Sequence, residues 1–420
     1  MLDHSGPRGA SSWPVVVVWL HAAIVAAATL QPLHAQPVAI GLERVGSGEQ
    51  AAPVGRVGLL AHGASVTLDG RHAIEVLRGR GVELVRLLTP EHGLRGEAAA
   101  GEPVPSGVDP GSGLPIVSLY GEKTRPDPAD LAGLDVLVVD LQDAGVRFYT
   151  YASTMIHCLD AAAEAGIEVV VLDRPNPLGG ERIEGPVADR RRVPVSLVNM
   201  TPGPLVHGLT LGELALLANH GRERPARLRV IPMRGWRRAM TWIDTGRPWT
   251  QPSPNLRSAE AALAYPAVAL LEATNVSEGR GTAEPFLRLG APWLDTAGAV
   301  RLQRVAAPGF ELSPIQFTPR SSRAAPAPKH LDVECAGVEV QVTDPDDAEP
   351  YRLGLELLAA LSAERGFSWR DDGAALSWLL GTPEVYAALS RGDSVAQIVA
   401  RDRDDHAAWR LERRPFLLYD

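Results

Sequence analysis

Between Val57 and Leu172, short apolar runs alternate with helical stretches, and this rhythm constrains the fold more than any other feature of the chain. Val57–Ala61, Val82–Leu88, Val136–Leu141 and Ile167–Leu172 are β-rich and of strand length. They lack clean period-two alternation, the pattern of strands buried on both faces. Helices are expected over Ala73–Arg80 and Tyr151–Ala165; the second gathers residues 151, 155, 158, 159 and 162 on one apolar face. The expected class is therefore α/β, with a Rossmann-like parallel sheet covered by helices on each side.

Around residues 220–260 the composition changes, with Trp236, Trp242 and Trp249 set among prolines and arginines. Beyond this crossover a strand is expected at Gly337–Val342 and a helix over Tyr351–Arg365. The expected division is a signal peptide over 1–35, a Rossmann-like α/β catalytic domain over 36–235, and a smaller C-terminal α/β domain over 236–420 that completes a cleft. Thr210-Leu-Gly-Glu213 has the form of a capping box, which gives Glu213 a structural role and removes it from the catalytic candidates.

Polar motifs follow the buried strands directly. Thr89-Pro-Glu-His-Gly93 comes after the second, Gln142-Asp-Ala-Gly-Val-Arg-Phe-Tyr-Thr-Tyr151 after the third, and Asp173-Arg-Pro-Asn-Pro177 after the fourth. The carboxyl ends of parallel strands share one edge, and ligands bind in the crevice there. Three motifs distant in sequence thus converge on one place.

At that edge Glu91 is a candidate general acid, because a partly desolvated carboxylate has a raised pKa. His92 either donates to substrate or is satisfied by a backbone carbonyl. Asp143 and Arg147 form either a structural ion pair or a substrate clamp. Tyr149 and Tyr151 either stack on a sugar ring or cover the sheet. Further along, Asn275-Val-Ser-Glu-Gly-Arg-Gly-Thr282 combines two glycines with Glu278 and Arg280. Two carboxylates brought to one crevice are the minimal equipment for glycoside hydrolysis, one protonating the leaving oxygen while the other activates water or attacks. Glu91 and Glu278 are the expected pair.

Other chemistries lack their signatures. There is no Gly-x-Ser-x-Gly elbow for a serine nucleophile, and neither cysteine has metal-ligand spacing. No dinucleotide fingerprint follows the first strand, so no cofactor and no nucleotide are expected. A net charge of −9 argues against a nucleic-acid partner. Cys158 falls on the apolar face of its helix, where a buried free thiol is expected.

The first residues point to export. Arg8, the apolar run Val15–Leu30 and Leu33-His34-Ala35 follow the order of a cleavable signal. The run is shorter than the roughly 20 apolar residues a membrane span needs. A periplasmic or extracellular protein with no stable membrane span after cleavage is expected.

Taken together, the motifs resemble the NamZ-like family of exo-β-N-acetylmuramidases. The resemblance rests on Pro90-Glu-His-Gly-Leu-Arg-Gly96, Ser118-Leu-Tyr-Gly121, Asp140–Tyr151, Leu172-Asp-Arg-Pro-Asn-Pro-Leu-Gly179, His207-Gly-Leu-Thr-Leu-Gly-Glu-Leu214, Pro252-Ser-Pro-Asn255, Asn275–Thr282 and Gly290-Ala-Pro-Trp293. It implies a Rossmann-like domain joined to a smaller one, with the active site between them. It also implies release of N-acetylmuramic acid from non-reducing ends of peptidoglycan fragments. Glu91 fits a catalytic glutamate of the family, and His92, Asp143, Arg147 and Asn176 are implied to line the site. The chain departs from the family at Ala61-His-Gly-Ala64, where an Asn-containing turn is usual; either His62 substitutes as a hydrogen-bonding group or the sugar contacts differ. The muramic lactyl carboxylate calls for an arginine, with Arg147 and Arg280 as candidates. The alternative reading is a non-catalytic peptidoglycan-binding exported protein on the same fold.

Overall fold

Each of the four apolar runs becomes a strand of one sheet. A computed structural model of the chain describes residues 36–420, and the expected signal segment lies outside the described residues. The strands are β1 (Arg56–Ala61), β2 (Glu83–Thr89), β3 (Gly107–Val108), β4 (Pro115–Ser118), β5 (Val136–Asp140), β6 (Glu168–Leu172) and β7 (Arg227–Ile231), in spatial order β3-β4-β2-β1-β5-β6-β7. All neighbours pair in parallel except β3 with β4. The expected Rossmann-like sheet is present. Its β5 is buried at every residue, which is why no alternation is visible in its sequence.

Chain order reverses beside β1, since β2 and β4 lie on one side of it and β5 to β7 on the other. Such a switch point opens a crevice at the strand carboxyl ends. Here the backbone N–H of Gln142, after β5, donates to His62 Nε2, after β1, at 3.0 Å. The imidazole thereby ties the two strand ends together.

Helices Gly41–Gly46 and Ala73–Gly79 pack beside one face of the sheet around Leu42, Val45, Val76 and Leu77. Helix Thr150–Ala165 covers the other, burying Tyr151, Met155, Cys158, Leu159 and Ala162. Cys158 and Cys335 are both buried free thiols. The Thr210–Glu213 capping box forms as expected, with Thr210 N–H donating to Glu213 Oε2 at 3.0 Å and Glu213 N–H donating to Thr210 Oγ1 at 3.2 Å.

The smaller part holds an antiparallel sheet of β8 (Arg288–Ala291), β9 (Phe310–Phe317) and β10 (Cys335–Val342), in order β8-β10-β9. Helix Pro350–Ser362 packs on helix Ala259–Val268. Gly354 permits the approach, because a Cβ there would lie 2.9 Å from Ala267 Cα. The apolar core under helix Thr150–Ala165 continues without a break into this second sheet.

Arg147 fastens the two parts. The side chain is fully buried, and its guanidinium donates to Pro186 O at 2.7 Å, Gly203 O at 2.9 Å and the carbonyl of Leu380. Burial pulls its pKa down to about 10, so it remains charged at neutral pH. Arg147→Met would leave these carbonyls unpartnered, at about 1–3 kcal/mol for each buried group. Denaturant unfolding should show a loss of at least about 3 kcal/mol; an unchanged midpoint would refute this role.

Candidate active site

Strand β2 delivers its carboxyl end to a tightly folded loop. Pro90 ends the strand and His92 adopts a left-handed φ of 69°, followed by Gly93 at 77°. The His92 carbonyl accepts from both Glu97 N–H and Ala98 N–H, so the loop closes around this residue. Within it, the Glu91 carboxylate accepts from Thr150 Oγ1 at 2.8 Å and from Gly101 N–H at 3.0 Å. Thr150 opens helix Thr150–Ala165, so the carboxylate sits at the junction of β2 and the helix that crosses the sheet. The Tyr120 hydroxyl faces it; burial and the Glu91 charge together push the phenol pKa above its usual value.

Glu91 and His92 line a cleft of about 320 Å³ with Tyr120, Tyr149, Thr150, Ser253 and Asn255. Tyr265, Glu272, Arg280, Phe286, Arg370 and Trp378 also line it. The cleft therefore draws on both parts of the chain. Its walls combine aromatic faces with a few polar groups, as small-molecule sites do.

His92 Nδ1 lies 2.8 Å from the Ala98 carbonyl and must carry the proton. Burial holds its pKa below the ordinary histidine range despite the Glu91 charge. The neutral ring thus leaves Nε2 as an acceptor.

Glu278 stands behind the wall. Its Oε1 lies 3.1 Å from Arg280 Nη1 and its Oε2 3.1 Å from Lys329 Nζ. Burial works to raise its pKa, but these two cations outweigh burial and hold it below the usual carboxylate range. The second carboxylate on the cleft wall is instead Glu272, 2.7 Å from Arg280 Nη1. Arg280 does reach the cleft, where it bridges both acids and lies 5.0 Å over the Phe286 ring. Burial acts to lower its pKa, but Glu272 and Glu278 together raise it.

The remaining expected residues divide sharply. Tyr149 lines the cleft, whereas Tyr151 is fully buried, its hydroxyl 2.7 Å from Pro252 O. His62 is fully buried edge-on to Tyr151, and burial with the Arg174 charge keeps it neutral. Asn176 donates to Leu209 O at 3.0 Å and accepts from Leu178 N–H at 2.9 Å, which fixes its turn. Gly145 (φ 77°) fits against it because a Cβ would come within 2.1 Å of Asn176 Oδ1. Arg147, committed to carbonyls, is neither the partner of Asp143 nor a wall of the cleft.

Asp143 accepts from Gly145 N–H at 2.7 Å through one oxygen, and its other oxygen is buried without a partner. Burial raises its pKa to about 7. Folding therefore favours the protonated acid. Stability from this group is fully present below the unfolded carboxylate value and is lost as pH rises through about 7. The melting temperature is expected to fall between pH 5 and pH 8, and Asp143→Asn should flatten that fall. Parallel pH curves for the two proteins would overturn this assignment.

Tyr120, Thr150, Ser253, Asn255, Tyr265, Glu272, Phe286, Arg370 and Trp378 line the cleft but had no place among the expected site residues. For Glu272 a signal existed, since it is the single acid near the end of the apolar run Ala261–Ala273. Arg370 and Trp378 lie in a segment without a motif, and only the fold brings them to the cleft.

Comparison with known proteins bears on the same architecture. Residues 57–260 match the family described as exo-beta-N-acetylmuramidase NamZ, N-terminal, and residues 263–419 match its C-terminal counterpart. The chain is 38% identical over 368 residues to the peptidoglycan beta-N-acetylmuramidase NamZ of Bacillus subtilis (strain 168), covering 87% of each protein. Two crystal structures of DUF1343 family proteins from Bacteroides fragilis NCTC 9343 superpose with TM-scores of 0.80 and 0.72. Each is 30% identical, with 91% of this chain and 99% of the other covered. The chain belongs to the NamZ family of exo-β-N-acetylmuramidases.

Proposed function

We propose that Glu91 is the proton donor in an exo-acting hydrolysis that releases N-acetylmuramic acid from the non-reducing ends of peptidoglycan fragments. The observation that carries this reading is a carboxylate held by two donors at the wall of a sugar-sized aromatic cleft, in a member of this glycosidase family. Glu91 would pass a proton to the glycosidic oxygen as the C1–O bond breaks, and water would supply the hydroxyl that C1 gains. His92 Nε2 is placed to accept from a sugar hydroxyl, and Tyr149 and Tyr265 offer faces to the ring.

For the second carboxylate, the geometry favours Glu272 over Glu278. Glu272 is on the cleft wall with one cationic partner, whereas Glu278 is enclosed by two cations behind it. A carboxylate paired with a guanidinium suits charge stabilisation or water activation rather than proton donation. We also infer that the protein acts outside the cytoplasm, where the wall polymer lies. The support is the signal-like order of Val15–Leu30 and Leu33-His34-Ala35. Among the described residues no helix is long and apolar enough to cross a membrane.

The decisive assay is release of free N-acetylmuramic acid from a MurNAc-GlcNAc disaccharide by the purified protein. Glu91→Gln should lower kcat by about 10²–10⁴-fold, the usual contribution of a general acid, while leaving the melting temperature near wild type. Saccharide binding with no turnover in the wild type would favour a binding protein instead. Glu272→Gln should reduce kcat, whereas Glu278→Gln should act chiefly on stability by leaving Lys329 without its buried counter-charge. The reverse pattern would restore Glu278 as the second catalytic acid.

A further inference from the structure

On the muramidase reading the substrate's muramic residue carries a lactyl carboxylate, which a cation with free donors on the cleft wall would match. Arg147 is buried on backbone carbonyls and Arg280 is bonded to Glu272 and Glu278. Arg370 differs from both. It lines the cleft, its side chain is 50% exposed, and its nearest carboxylate, Asp371 Oδ2, lies 3.7 Å away. Among the described residues, its guanidinium makes no hydrogen bond.

The mount of Arg370 is rigid. Trp369 forms a β-bridge with Thr274, and Asn275 N–H donates to Ser368 O at 3.1 Å. The Asn275 side chain closes the attachment, donating to Gly366 O at 2.7 Å and accepting from Ser368 N–H at 3.0 Å. The first residue of the Asn275–Thr282 motif thus holds the Arg370 loop to the cleft segment. Edge-to-face contacts run from Trp293 through Phe367 and Trp369 to Tyr386 and stiffen the same loop. Directly after Arg370 the backbone turns through three left-handed residues, Asp371 (φ 52°), Asp372 (φ 48°) and Gly373 (φ 84°). Two of these are not glycine, and such strain collects at sites where geometry matters for a ligand. Gly373 is required there, since a Cβ would come within 2.2 Å of the Tyr386 ring.

We propose that Arg370 binds the lactyl carboxylate and is the residue by which this enzyme selects N-acetylmuramic acid over N-acetylglucosamine. A planar guanidinium with free N–H groups matches a carboxylate in two-point contact. Half exposure at the cleft wall leaves its donors accessible without a close internal partner. The assignment rests on the muramidase reading above.

The test compares p-nitrophenyl β-N-acetylmuramide with the same compound methylated on the lactyl carboxylate. Wild type should hydrolyse the acid with a kcat/KM about 10–100-fold above that of the ester, the range expected for a charged hydrogen-bonded contact. Arg370→Ala should remove that preference by losing activity on the acid alone, with an unchanged melting temperature, and Arg370→Lys should restore part of it. Calorimetric binding of free N-acetylmuramic acid should weaken in Arg370→Ala in the same proportion. Equal loss on both substrates, or no loss on either, would overturn the assignment of Arg370. A wild type that binds N-acetylmuramic acid through Arg370 yet hydrolyses neither compound would overturn the muramidase reading and not the carboxylate site.

Discussion

Everything at the cleft depends on a buried cation that never touches it. Arg147 leaves the loop after β5 and reaches carbonyls of Pro186, Gly203 and Leu380, the last of them 233 residues away. Leu380 ends the helix Ala374–Leu380, on which Trp378 and Leu379 form part of the cleft wall. The same loop leads into Tyr149 and Thr150. One guanidinium thus sets the spacing between the wall carrying Glu91 and the wall carrying Trp378. A charge is suited to this because each carbonyl bond to it is stronger than a neutral one, and its planar fork fixes direction as well as distance.

Charge is handled in layers around the cleft. Lys329, Glu278, Arg280 and Glu272 form a ladder of alternating sign, with buried Glu278 between the two cations and Glu272 at the cleft wall. Lys329 is also tied to the carbonyls of Leu271 and Val276 at 2.8 and 2.9 Å, which fixes that end of the ladder to the backbone. Buried charges of this kind persist only when paired, and their pairing is what keeps Arg280 oriented over Phe286. Glu91 has a different environment. Its partners are a hydroxyl and an amide N–H, neither of them charged.

The strand runs and the helix Thr150–Ala165 were legible because burial on both faces or on one face leaves a periodic imprint on local sequence. The capping box at Thr210 was legible for the same reason, being a contact between residues three apart. At the site, Glu91, His92, Tyr149 and Arg280 were found on the cleft wall. His62, Tyr151 and Asn176 instead hold the scaffold beneath it. Motif residues at a sheet edge do both jobs, and residue type does not separate them: a histidine tying two strand ends reads like one that meets a substrate.

The sequence by itself determined that a parallel sheet would form, that polar loops would gather at its carboxyl edge, and that Glu91 would stand among them. These follow from hydrophobic period and chain order, which are local properties. Only the tertiary structure decided which charges are free. Glu278 is enclosed by Arg280 and Lys329, Arg147 by carbonyls, while Glu272 reaches the cleft wall and Arg370 stands there with open donors. The availability of a charged group depends on its partners, and most of these partners lie tens to hundreds of residues away in the chain.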